Sequence, residues 1–299
     1  MSSAFPLSPR TLFNYLAAKK ALDSPVPTFP WYDSGWLYQY VAAKMLIERV
    51  RPKLLSEFMT TFDCLRTDPK FEVRKLDRVF NDEVMIQIRE TIRSMPADAN
   101  EYTEIEKFGR IVVHNHPFFT YLQKTVLPLV SELAGELVEP SYNFLSLYSK
   151  LGVCEPHMDA PDAKWTLDLC IEQSDAWPIH FSRIVPWPEQ FAYQGEDWQT
   201  YLKQSSDLQF RSFSLEPNEA VLFSGSSQWH YRDSFPGDGF CHLLFFHYIP
   251  KGMDELVRPA NWPRVFDIPE LARVVGTHPK RSRVVRALRR AAKRLSLTK

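Results

Sequence analysis

Glu155-Pro156-His157-Met158-Asp159-Ala160-Pro161 decides how the rest of this chain reads. A histidine and a carboxylate two positions apart in an extended segment project to one face, because strand side chains alternate with period two. Far downstream, Trp229-His230-Tyr231-Arg232 brings a second histidine from a later strand. His157, Asp159 and His230 are therefore the candidate metal ligands. Two imidazoles and one carboxylate would occupy one side of a metal and leave the opposite coordination positions open. A bare His-x-Asp arises by chance in many proteins of this size, so its surroundings carry the weight.

Those surroundings read as strands. Upstream lies Tyr142-Asn-Phe-Leu-Ser-Leu-Tyr148, and downstream lies Lys164-Trp-Thr-Leu-Asp-Leu-Cys-Ile171. In the second, apolar Trp165, Leu167, Leu169 and Ile171 alternate with polar or small neighbours. Before the distal histidine comes Leu215-Glu-Pro-Asn-Glu-Ala-Val-Leu-Phe-Ser-Gly225, a turn feeding a short apolar strand. After it, Phe240 to Ile249 is a strongly apolar strand stopped by Pro250.

Strand, His-x-Asp, strand, Pro-Asn-Glu-Ala-Val-Leu-Phe-Ser-Gly, Trp-His-Tyr-Arg-Asp, apolar strand: this order resembles the core of the Fe(II)/2-oxoglutarate-dependent dioxygenases. The resemblance covers roughly residues 140–250, a little over a third of the chain. It implies an α+β fold with a double-stranded β-helix (jelly-roll) barrel. It also implies Fe(II) as the metal, 2-oxoglutarate and O2 as co-substrates, and hydroxylation of a C–H bond as the usual outcome. One family feature is displaced. An Arg or Lys ordinarily follows the distal histidine by about ten to fifteen residues and pairs with the far carboxylate of 2-oxoglutarate. Positions 240–245 offer only His242. Arg232 is favoured over it, since in an extended 230–232 segment it points the same way as His230, and a guanidinium suits a carboxylate. Tyr148 is expected to add a hydroxyl.

At 299 residues the chain can bury a substantial core. Three regions are expected: a helical layer over 1–139, the barrel over 140–252, and an extension over 253–299. Helices are read at 10–22, at 34–62 with an interruption at Arg51-Pro52, at 82–94, and at 120–137 with Pro128 inside. Residues 24–33 form a Pro-rich connector. The formal net charge of zero conceals an asymmetry: the last twenty residues hold nine Lys or Arg and no acid. The first 279 residues hold 27 basic against 36 acidic, a net of −9. Four widely spaced cysteines without a Cys-x-x-Cys pair argue against a disulfide framework or structural zinc and fit a reducing, cytoplasmic setting. The N-terminal residues lack a signal-peptide pattern. No uncharged apolar run approaches the roughly 20 residues of a membrane span.

Three further clusters are weighed. His114-Asn115-His116 reads as turn-forming, since it lacks a carboxylate and strand in metal-site order. His180 is a candidate pocket residue, although a strand histidine with satisfied hydrogen bonds is the commoner case. Lys164 and Arg183 are candidates for an anionic substrate at the barrel mouth. Over 280–299, Val284, Leu288, Ala291 and Leu295 fall in one helical stripe opposite a basic arc, the pattern of a helix lying on an anionic membrane surface. The expected substrate is a small molecule or a lipid-linked saccharide, with the Kdo sugar of a lipid A precursor as the named example. An amino-acid or peptidyl side chain is the alternative. Nucleic acid is not expected, given the acidic body. A Zn(II) or Mn(II) jelly-roll enzyme and a degenerate binding barrel are the competing classes, and succinate release separates the oxygenase from both.

Overall fold

The computed structural model describes residues 26–27, 34–187, 193–194 and 198–275. The expected helix at 10–22, most of the 24–33 connector and the basic tail at 280–299 lie outside these residues.

The two longest strands are β3 (Val138–Tyr148) and β10 (Cys241–Pro250), and they pair with each other over nearly their whole length. Around them lie β1 (Arg74–Leu76), β2 (Arg110–His114), β4 (Cys154–His157) and β5 (Trp165–Gln173). β6 (Ile179–Phe181), β7 (Arg211–Phe213), β8 (Ala220–Ser224) and β9 (His230–Arg232) follow. They form a larger antiparallel sheet ordered β1-β8-β5-β10-β3-β2 and a smaller one ordered β4-β9-β6-β7. The chain from β3 to β10 winds between the two sheets, which is the double-stranded β-helix expected from the sequence.

The alternation in β5 decides what covers what. Trp165, Leu167, Leu169 and Ile171 are buried on the outer face of the larger sheet. There they meet α3 (Asp82–Arg93), α4 (Pro117–Thr125) and α5 (Leu127–Ala134), through Met85, Ile88, Phe119, Leu122 and Val130. Each such side chain stabilises the fold by roughly 1.5–3 kcal/mol. The polar members of β5, Thr166 and Asp168, therefore face the barrel interior, where they are buried as well. A second apolar cluster fills the space between the sheets, from Phe223, Leu243 and Phe245 on one side to Ile179 and Phe181 on the other. A third, rich in aromatic rings, joins α1 (Ser34–Val50) and α2 (Leu55–Thr61) to the segment around Trp262.

The helix boundaries follow local chemistry. The Asn81 side chain accepts a hydrogen bond from the Val84 N–H at 2.9 Å and caps α3. Arg51-Pro52 separates α1 from α2, as expected. The expected single helix at 120–137 is instead two, starting at Pro117 and broken at Val126. Pro128 lacks an N–H, which is tolerated only in a first helical turn, so the chain restarts its helix there. No helix among the described residues is long and apolar enough to cross a membrane.

Candidate metal centre

β4 ends at His157 and β9 begins at His230, and the antiparallel register sets the two directly opposite each other. Asp159 follows β4 by two residues, and its N–H donates to the Gly225 carbonyl at 2.8 Å. His157 Nε2 lies 3.6 Å from Asp159 Oδ1 and His230 Nε2 lies 3.7 Å from Asp159 Oδ2. The imidazole centroids are 4.2 Å apart. One ligand atom from each of the three lies within 4.8 Å of the others. The triad expected from the sequence is thus brought together from two segments, one carrying His157 and Asp159 and the other His230.

The tautomers fit a metal. His157 Nδ1 is 2.7 Å from the Glu155 carbonyl, and His230 Nδ1 is 3.0 Å from the Gln228 carbonyl. A carbonyl only accepts, so each Nδ1 carries a hydrogen and Nε2 is left as the atom that can meet a metal. Charge follows the same logic. Burial works against ionising Asp159, but His230 and His157 outweigh it and hold the carboxyl well below the usual range. Burial, reinforced by His157, pushes His230 down to about 4 and keeps it neutral. Burial opposes a charge on His157 too, yet Cys154 and Asp159 push it up to about 10. A dication arriving here displaces the His157 proton, so metal binding is coupled to pH.

Gly225 belongs to the centre by virtue of having no side chain. A Cβ at that position would lie 2.4 Å from the Ala163 carbonyl oxygen and 2.5 Å from Asp159 Oδ2. Only glycine allows the chain to pass this close to the carboxylate.

The triad opens into a cavity of about 140 Å³ between the sheets. Arg232 points into it, on the same face as His230, and is 3% exposed. Its guanidinium is already engaged: Nη2 lies 2.7 Å from Asp168 Oδ2, and Nη1 donates to the Trp177 carbonyl. Tyr148 also lines the cavity, its hydroxyl pushed up to about 12 by burial. That hydroxyl accepts from Arg110 Nη1 at 2.7 Å. Arg110, in turn, bonds Glu104 Oε2 through Nε at 2.7 Å.

Among the cavity residues that the sequence did not mark are Arg110 and His247. Arg110 lies far upstream on β2 and reaches the site because Arg110, Tyr148 and Cys241 share one row across the larger sheet. His247 sits deep in β10, in a run of apolar residues, with Phe245 and the other inward-facing positions. Their only sequence signal is parity with other inward residues.

The remaining candidates lie elsewhere. His242 has the opposite parity to Phe245 and His247, so it points away from the cavity and pairs with Glu172 at 3.0 Å. His180 lies on the outer face of the smaller sheet, bonded to Ser212 at 2.7 Å and stacked on Tyr231 at 4.5 Å. Lys164 is buried away from the mouth, with Nζ 2.5 Å from Glu136 and 2.9 Å from the Cys64 carbonyl. Arg183 is tied to the Asp207 carbonyl at 2.7 Å. None of these four lines the cavity. His114 does, at its edge, paired with Glu101 at 2.8 Å. Asn115 beyond it adopts φ 50°, a turn conformation.

No protein-family model matches this sequence, and no curated protein sequence matches it. Among solved structures, the chain is similar to HygX from Streptomyces hygroscopicus, solved with nickel, 2-oxoglutarate and hygromycin B. There the identity is 10% and the TM-score 0.46, over 65% of this chain and 86% of that one. It is similar to the epimerase SnoN, in complex with Fe3+, alpha ketoglutarate and nogalamycin RO. The identity is 11% and the TM-score 0.49, over 67% and 84%. It is also similar to EctD from S. alaskensis, solved with 2-oxoglutarate and 5-hydroxyectoine, at 12% identity and a TM-score of 0.43 over 60% and 72%. Each is a likeness in chain path at low identity.

Proposed function

We propose that this chain is an Fe(II)/2-oxoglutarate-dependent oxygenase acting on a C–H bond of a polar small molecule. One observation carries the reading: two imidazoles with Nδ1 tied to backbone carbonyls and Nε2 converging with a carboxylate on one edge of the cavity between the sheets. In this proposal His157, Asp159 and His230 hold the iron. When bound with 2-oxoglutarate and O2, the metal supplies oxidative decarboxylation to succinate coupled to oxidation of the substrate. The protein's part is to orient and to exclude water. Arg232 and Tyr148 receive the far carboxylate, with Arg110 holding the Tyr148 hydroxyl in place. Apolar Ile179, Phe223 and Phe245 keep the cavity dry, which strengthens each electrostatic contact inside it.

The finer reading is hydroxylation of a saccharide on a lipid, of the Kdo type, at an anionic membrane surface. The nine basic residues of 280–299 support it, each contributing about 1 kcal/mol near such a surface. Full-length protein is expected to sediment with anionic vesicles at low salt and to be released as salt rises. A protein lacking 280–299 that partitions equally removes the membrane from the proposal. The class itself is tested by anaerobic loading with Fe(II), followed by O2 and 2-oxoglutarate. Succinate is the expected product, and its absence from wild-type protein that binds iron refutes the reading.

A further inference from the structure

His247 is a buried imidazole with an unmet hydrogen bond. It is 2% exposed and lines the metal cavity, and its Nε2 is buried without a partner among the described residues. Its ring cannot turn away. Tyr142 stacks on it at 4.2 Å, and Phe144 and Phe245 stand nearly parallel at 5.4 and 6.3 Å. On the other edge, Nδ1 lies 2.9 Å from Thr166 Oγ1, its cross-strand neighbour on β5. A buried hydroxyl gives its proton to an acceptor where one is in reach. Among the described residues the Thr166 hydroxyl has Nδ1 as that acceptor, so the ring hydrogen sits on Nε2. The N–H donor therefore lies on the ring edge away from Thr166, buried in the cavity wall. Burial pushes His247 down to about 4, so the donor is a neutral imidazole.

Its place in the cavity is close to the triad. A Cβ on Gly225 would lie 2.5 Å from Asp159 Oδ2 and 3.0 Å from Thr166 Oγ1, so those two oxygens flank one glycine. Through Thr166, His247 is thus linked to the neighbourhood of the Asp159 carboxylate. An anionic ligand arriving beside Asp159 meets repulsion from that carboxylate, and a neutral N–H offsets this repulsion locally.

We propose that His247 is a positioning residue whose Nε2–H donates to the metal-proximal carboxylate of a bound 2-oxo acid. The inference rests on the oxoglutarate reading above and adds the group that orients the end of the co-substrate nearest the metal. Thr166 acts through His247 by setting its tautomer.

The test is binding without turnover. Wild-type protein loaded anaerobically with Fe(II) is titrated with 2-oxoglutarate and, separately, with pyruvate, which lacks the far carboxylate. The visible metal-to-ligand charge-transfer absorption reports each complex. His247→Phe keeps the ring stack and removes the donor. It is expected to weaken both 2-oxo acids by the same factor, about ten- to hundredfold for one hydrogen bond to a charged group. Mn(II) affinity and the melting temperature should stay near wild type. Thr166→Val is expected to weaken both acids less, with Thr166→Ser restoring them, which a purely structural role for His247 does not produce. Equal 2-oxo-acid affinity in wild type, His247→Phe and Thr166→Val overturns the inference alone. So does a loss confined to 2-oxoglutarate, since that contact lies at the far carboxylate. A wild-type protein that binds Fe(II) but forms no complex with either acid overturns the oxoglutarate reading, and the inference with it.

Discussion

Replacing Gly225 by Ala tests whether the metal carboxylate is held by backbone proximity. The new methyl would lie 2.4 Å from the Ala163 carbonyl oxygen and 2.5 Å from Asp159 Oδ2, roughly 1 Å inside ordinary contact. Two backbone bonds oppose relief of that clash. The Asp159 N–H donates to the Gly225 carbonyl at 2.8 Å, and the Gly225 N–H donates to the Lys164 carbonyl at 3.0 Å. Opening the gap therefore stretches at least one of them, at about 1 kcal/mol each, on top of about 1–3 kcal/mol of overpacking. A destabilisation of about 2–4 kcal/mol is expected, a fall in melting temperature of roughly 3–6 °C for a chain of this length. Asp159 also loses its aim, and a mis-set ligand support weakens metal binding about 10–100-fold. Calorimetry of the metal-free protein and Mn(II) titration measure the two effects. Gly237→Ala is the control: its Cβ would meet only Asp175 Oδ2, at 3.6 Å, so a change within about 0.5 kcal/mol is expected. If Gly225→Ala binds Mn(II) as wild type does and melts with the control, close approach to Asp159 is not what Gly225 provides.

Asp159→Ala, His157→Ala and His230→Ala should each abolish Fe(II) binding and succinate formation while the far-ultraviolet circular dichroism stays native; normal turnover in Asp159→Ala would refute the triad. Arg232→Met strands Asp168 without its counter-charge and should cost about 3–5 kcal/mol in denaturant unfolding, whereas Arg232→Met with Asp168→Leu recovers most of it. His242→Ala should leave the 2-oxoglutarate requirement unchanged, because its pairing with Glu172 faces away from the cavity. On the pH axis, His247 has a native value of about 4 against an ordinary 6.5, so the unfolded chain takes the proton first. Stability therefore falls as pH drops from 6.5 towards 4, on the order of 3 kcal/mol from this group. His247→Phe should flatten that part of the acid limb, and an unchanged slope in metal-free protein would show that His247 is not neutral in the native state.

The candidate metal centre, as a cluster of side chains, was legible because its signal is local. His157 and Asp159 share a face through a spacing of two, and the apolar segments around them announce strands whatever the rest of the chain does. The choice of cavity cation was not legible, and the reason is that both faces of the larger sheet are buried. β10 carries Leu244, Phe246 and Tyr248 toward the helices, and Leu243, Phe245 and His247 toward the barrel. A strand apolar on both faces gives no alternation to tell inside from outside, so nothing in residues 241–249 marks His242 as outward and His247 as inward. Lys164 shows the same limit for charge. Its burial depends on Glu136, which approaches only when β5 packs beside the end of α5. What the residues determine alone is therefore the candidate ligand set, the strand order around it and the acidic body with its basic tail. The tertiary structure decides which polar side chains enter the cavity: Arg110 is carried in by a cross-sheet row, Arg232 is neutralised by Asp168, and His247 is left with a donor to fill. These outcomes depend on contacts between segments distant in the chain, and only the packing of one sheet on another creates them.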